Sequence, residues 1–173
     1  MGRVWKRVAV ATATFAVGVT AAGCGGTADR PAATSAAPAP ADSGAPLNFP
    51  QCAAMTEDDL SGMLGLPGLR QVAANPLRCG WETGGGGYAV VFAWFRGSSL
   101  TERRDQVTLG PAVDVRIAGH PGFTWSGAQG CEIAAGSGGG DFIDWTVTAG
   151  AAAAGSPCAA LPRLAAATLA KAG

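Results

Sequence analysis

Five cysteines, one histidine and a few carboxylates are the residues of this 173-residue chain whose types could do chemistry. Four of the cysteines, Cys52, Cys79, Cys131 and Cys158, form two successive pairs, each 27 residues apart. An even set in a chain that leaves the cytoplasm reads as disulfides, and three connectivities are open. Each interval joins a cysteine beside an expected helix to one in an expected strand, which favours Cys52 with Cys79 and Cys131 with Cys158. A bridge closing such a loop contributes about 3.5 kcal/mol by loop-closure entropy. Zinc is the competing chemistry, but no CxxC spacing occurs and the single histidine lies elsewhere. No metal and no cofactor are expected.

Nucleophilic catalysis by a Ser/His/Asp set would have to recruit His120, which sits between Gly119 and Pro121 in a turn. There is no G-x-S-x-G, and paired cysteines leave no thiolate, so no catalytic residue is assigned and the chain is read as not an enzyme. The glycine runs 84–87 and 138–140 lack the Lys-Ser/Thr ending of a phosphate cradle and read as hairpin loops. Glu132, Asp141 and Asp144 are read as solvated charge, because Asp141 and Asp144 fall on opposite faces of a strand. Among the aromatics, Trp125 lies in a glycine-rich segment. It is expected to be partly exposed and, with His120, to be the candidate for stacking on a sugar or an apolar ligand.

The fifth cysteine, Cys24, belongs to a different chemistry. Met1 to Arg7 carry Arg3, Lys6 and Arg7, an apolar run of 13 residues follows over 8–20, and Ala21-Ala22-Gly23 precede the cysteine. That run is too short for an ordinary membrane span and suits a signal segment. The arrangement resembles the lipobox of bacterial lipoproteins. The resemblance implies cleavage after Gly23 and a diacylglyceryl thioether on Cys24, hence a lipid anchor on the extracytoplasmic face of the cell membrane. Residues 1–23 are therefore read as signal, and 24–47, rich in Ala, Pro, Ser and Gly, as a disordered tether with a span of about 25 Å.

Residues 48–173 remain for one folded domain. Loss of the signal leaves 9 basic against 12 acidic residues, and no basic patch argues for nucleic acid. Thr56 and Asp59 form a near capping box for a helix over 57–64, closed by Gly65. Strands are expected over 78–82 and 88–95, the second apolar on both faces and so covered on both sides. Ser99 and Glu102 cap a second helix, from 100 to about 107, with Arg103 and Arg104 pointing outward. Residues 113–117, the segment around Phe123 and Trp125, 131–134 and 142–148 read as further strands, and 136–140 as a loop. A C-terminal helix buries Leu161, Leu164, Thr168 and Leu169, with a kink or 3₁₀ first turn forced by Pro157 and Pro162. The fold class is α+β, an antiparallel sheet of about five to six strands with three helices and two disulfides.

The stretch from Cys52 through Leu64-Gly65-Leu66 to Cys79-Gly80-Trp81, the Val115 to Gly122 turn, Cys131-Glu132-Ile133 and the Cys158 helix resemble actinobacterial lipoproteins grouped as domain of unknown function 3558. The resemblance runs from about residue 48 to the end. It implies an envelope-associated, non-catalytic role with the cysteines as staples, and it supplies no catalytic residue. The expectation is a lipid-anchored module that binds an envelope protein or an amphiphilic ligand. Two rivals are an envelope hydrolase using His120 and a structural accessory of a secretion or cell-wall assembly.

Overall fold

The computed structural model describes residues 44–151, 153 and 155–173. The signal over 1–23, Cys24 and the tether as far as 43 lie outside the described residues. Helix α1 spans Glu57–Leu64, and its capping box is complete: Thr56 Oγ1 accepts from Asp59 N at 3.1 Å while Asp59 Oδ2 accepts from Thr56 N at 3.2 Å. Three acidic residues in its first turn complement the helix dipole, and Gly65 ends it in the left-handed conformation.

The strands are β1 (Leu69–Ala74), β2 (Arg78–Thr83), β3 (Tyr88–Phe95), β4 (Val113–Ile117), β5 (His120–Gly127), β6 (Gly130–Gly138) and β7 (Asp141–Ala149). Helix α2 (Leu100–Asp105) connects β3 to β4, and α3 (Leu161–Ala170) ends the domain. All seven strands form one antiparallel sheet in the order β1-β2-β3-β7-β6-β5-β4. Two meanders are thus joined where β7 pairs with β3, and α2 is the crossover between them.

The sheet exceeds the expected five to six strands because of β1. Its sequence does not alternate, a bulge interrupts its pairing between Gln71 and Ala73, and only Leu69 is buried. An edge strand held by main-chain bonds alone leaves little side-chain signal. Strand β6 also runs past its expected end. Gly136, Ser137 and Gly138 are not a loop but buried strand, because the chain entering the domain crosses them. Leu47 N donates to the Ser137 carbonyl and Gly139 N to the Gly44 carbonyl, each at 2.8 Å. A Cβ on Gly138, already at φ 83°, would collide with the Ala45 carbonyl. Residues 44–47, the end of the expected tether, are therefore packed against the sheet.

One face of the sheet carries the main core. Trp81, Phe92 and Trp145 project from β2, β3 and β7, with Trp145 5.0 Å from the Phe92 ring and 5.8 Å from Trp81. Helices α1 and α3 cover them with Leu60, Leu64, Leu161, Leu164 and Leu169. The indole N–H of Trp145 donates to buried Thr168 Oγ1 at 2.9 Å, which satisfies the one polar atom that so large a ring brings into the core. Pro157 and Pro162 are accommodated as anticipated: a 3₁₀ turn over Pro157–Ala160 precedes α3. On the other face only β5, β6, β7 and the end of β3 are covered, by α2, around Phe123, Trp125, Ala134 and Phe142. Strand β3, expected to be covered on both sides, is fully buried on one and half-buried on the other.

Cys52 pairs with Cys79, tying the segment before α1 to β2, and Cys131 pairs with Cys158, tying β6 to the 3₁₀ turn before α3. Each closes a loop with a sequence separation of 27. Replacing Cys131 and Cys158 together by Ser is expected to lower the unfolding free energy by about 3 kcal/mol in urea denaturation. An unchanged urea midpoint would refute a staple role for that bridge.

Candidate functional site

Helix α2 has only six residues, none of them buried, and so cannot hold itself on the sheet by an apolar face. Ser99 Oγ caps it by accepting from Glu102 N at 3.3 Å. Leu100 and, just past its end, Val107 pack against Phe123, Trp125, Ala134 and Phe142. The remaining hold is ionic. Arg103 Nε donates to Glu132 Oε1 at 3.0 Å and to Asp144 Oδ2 at 3.2 Å, and its Nη2 donates to Glu132 Oε2 at 3.0 Å. Glu132 and Asp144 are 2% and 3% exposed, on the neighbouring strands β6 and β7. Trp125 Nε1 donates to Glu132 Oε2 at 2.7 Å and Thr146 Oγ1 to Asp144 Oδ1 at 2.9 Å.

Two carboxylates facing one guanidinium would leave a net charge of −1 in a dehydrated place. Burial, together with the neighbouring charge and hydrogen bond of Glu132, pushes the Asp144 pKa up to about 8 against the pull of Arg103 and Thr146. Asp144 therefore holds a proton at neutral pH. Burial alone would lower the pKa of Arg103, but Asp144 and Glu132 raise it on balance by favouring its charged form.

These contacts revise three expectations. Arg103 does not point outward, and Glu132 with Asp144 is not solvated charge: α2 covers a sheet face that the strand pattern alone leaves open. Trp125 is 5% exposed and its N–H is committed to Glu132, so its ring is core and not a stacking platform. His120 opens β5 opposite Ile117, five residues and about 17 Å of strand from Trp125, so the structure does not bring it to the carboxylates. Asp141 points away from Asp144 as anticipated, but it too is buried and not solvated charge: it accepts from Gly97 N at 2.7 Å. Among the described residues, no group of three His, Cys, Asp or Glu is placed to hold a metal ion, and no helix is long and apolar enough to cross a membrane.

Between α2 and the β4–β5 hairpin lies a cleft of about 570 Å³, lined by Leu100, Thr101, Arg104, Asp114, Val115, Arg116, Pro121, Gly122 and Phe123. Its size falls within the range of small-ligand sites, about 300–1,000 Å³. Arg104 Nε donates to Asp114 Oδ1 at 2.7 Å and its Nη2 to the Ala112 carbonyl at 3.3 Å, joining helix to hairpin. A smaller recess of about 160 Å³ opens beside Trp125 and Glu132. Sequence reasoning missed the cleft. Its residues come from three elements, and the only advance sign was the charge on alternate residues of β4, Asp114 and Arg116.

The acid pair makes a pH signature. In the unfolded chain Asp144 titrates near 3.9; between there and about 8 the folded state keeps a proton that the unfolded state has released. Stability from this group is fully present below the lower value and is lost as pH rises through about 8. The thermal midpoint is expected to fall between about pH 4 and pH 8, the interval set by those two pKa values. Asp144→Asn, which can still bond to Glu132 and Arg103, is expected to flatten that slope and to melt higher than the parent at the alkaline end. A parent midpoint independent of pH over this window would refute the assignment.

Comparison with known proteins places the chain. The family model for "Protein of unknown function (DUF3558)" matches residues 19–171. The chain is 32% identical over 139 residues to "Putative lipoprotein LprB" of Mycobacterium tuberculosis, covering 73% of this chain and 75% of the relative. The protein of that name in Mycobacterium bovis matches to the same extent. The one in Mycobacterium leprae is 31% identical over 120 residues, covering 64% of this chain and 63% of the relative. No solved structure matches. The cysteine spacing, the Cys79-Gly80-Trp81 motif and the match over residues 19–171 agree: the chain belongs to the DUF3558 family of proteins of unknown function.

Proposed function

We propose that this chain is a cell-envelope lipoprotein, anchored through an acylated Cys24 on the extracytoplasmic face of the membrane, whose domain is a non-catalytic binding module for an amphiphile. The cleft beneath α2 is the observation that carries the binding role. It is the described site with an apolar floor, from Leu100, Pro121 and Phe123, and charged groups at its rim. The lipoprotein name of the mycobacterial relatives and the small residues before Cys24 support the anchor. The absence of chemistry is argued from the bonding of the acids. Glu132 and Asp144 spend their oxygens on Arg103, Trp125 and Thr146, and they lie along the sheet from His120, so these acids are not placed to work with that imidazole.

Two measurements test this reading. In detergent phase separation of whole cells the chain is expected in the detergent phase, and Cys24→Ala in the aqueous phase; a parent chain in the aqueous phase would remove the anchor. The chain from residue 24 onward, with Cys24→Ser, is expected to bind the uncharged probe N-phenyl-1-naphthylamine saturably with one site. Leu100→Trp, which fills the cleft, is expected to weaken it about 10-fold, a loss of roughly 1.4 kcal/mol. Binding that does not saturate, or that ignores Leu100→Trp, would sink the cleft as the binding place.

A further inference from the structure

The geometry of the α2 cleft points to its ligand: we propose a single-chain amphiphile with an anionic head, a carboxylate or a phosphate monoester. This rests on the reading of the domain as a binding module and names what the module takes. Size limits the chain. A cleft of about 570 Å³ lies in the middle of the range of small-ligand sites, about 300–1,000 Å³, which suits one alkyl chain with its head.

The floor sets the affinity for the chain. Leu100 and Pro121 are only half-buried, and Phe123, at 1% exposure, closes the bottom of the cleft. Each methylene laid on such a surface leaves water, so affinity rises with chain length.

The rim sets the head. Arg104, Arg116 and Asp114 line it together, two positive charges against one negative. The Asp114 side chain is 76% exposed, so its bond to Arg104 is worth little and an incoming anion can replace it. Arg116 Nη1 donates to the Gly119 carbonyl at 3.0 Å, a neutral acceptor, and no carboxylate among the described residues forms an ion pair with Arg116. Two guanidinium forks within one rim are suited to bidentate bonds with carboxylate or phosphate oxygens. The buried acids Glu132 and Asp144 are spent on Arg103 and do not line the cleft.

The test uses four twelve-carbon probes below their micelle-forming concentrations: dodecanoate, dodecyl phosphate, dodecyl maltoside and dodecyltrimethylammonium. They are titrated calorimetrically into the chain from residue 24 with Cys24→Ser. The two anions are expected to bind about 10-fold tighter than the maltoside, and the cation weakest of all. Arg116→Gln is expected to erase most of that preference while leaving maltoside affinity in place; a packing defect would instead weaken every head together. Arg104→Gln provides the second variant with the same expectation. Equal affinity for all four heads, or tightest binding of the cation, overturns the anionic head and leaves the module reading standing. Failure of every probe to bind removes both.

Discussion

The placement of α2 depends on one desolvated ion cluster. A six-residue helix with no buried residue has no intrinsic reason to stay on a sheet. Arg103 supplies that reason by reaching down to Glu132 and Asp144 from above. Burying two carboxylates is costly, and removing the half-covered arginine that faces them leaves uncompensated buried charge, typically a loss of about 3–5 kcal/mol. The cost here is reduced by Trp125, Thr146 and the proton on Asp144, which leave the set close to neutral. Everything on this side of the sheet, the small core around Phe123 and Phe142 and the cleft beside it, inherits its shape from that arrangement.

The opposite face is built on a different principle. There the sheet is covered by α1 and α3 through apolar contact, and the two disulfides fasten both covering segments to strands β2 and β6. The segment entering the domain is tied to its last residue as well, since Asn48 and Gly173 exchange backbone hydrogen bonds at 3.1 and 3.0 Å. One side is therefore a rigid, cross-linked body, and the other carries a short helix held by ionic contacts and a small apolar patch. Sites that must admit a ligand are drawn from the less strongly held parts of a fold, and the cleft lies on that side.

Most of the fold was legible because local rules act over a few residues. The Thr56–Asp59 box, the 3₁₀ turn at Pro157, the hairpins at the glycine runs and the cysteine pairing each depend on near neighbours or on evenly spaced staples. What escaped depends on non-local cover. Strand β1 is an exposed edge with no alternation, and Gly138 is fixed by the close crossing of Ala45, 93 positions earlier. Glu132 and Asp144 read as solvated because charge on alternate strand residues normally faces water. A crossover helix placed above them, from a segment some thirty to forty residues earlier in the chain, turned that face into an interior. Trp125 was misjudged for the same reason.

That inversion bears on what these acids can do. A catalytic carboxylate must have an oxygen free for substrate, and a raised pKa is useful only where the proton can be handed on. Asp144 has a raised pKa, but its oxygens and those of Glu132 are spent on Arg103, Trp125 and Thr146. The same electrostatics that would suit catalysis in an open pocket here serves attachment. It consumes Arg103 internally and leaves Arg104, the next residue of α2, on the cleft side, bonded to the exposed Asp114 carboxylate and the Ala112 carbonyl. Adjacent arginines on one short helix thus do opposite work: one neutralises the interior, and its neighbour stays available at the rim. A helix fastened by the first presents the second at a defined place, so the ion cluster fixes where a charge stands at the rim of the cleft beside it.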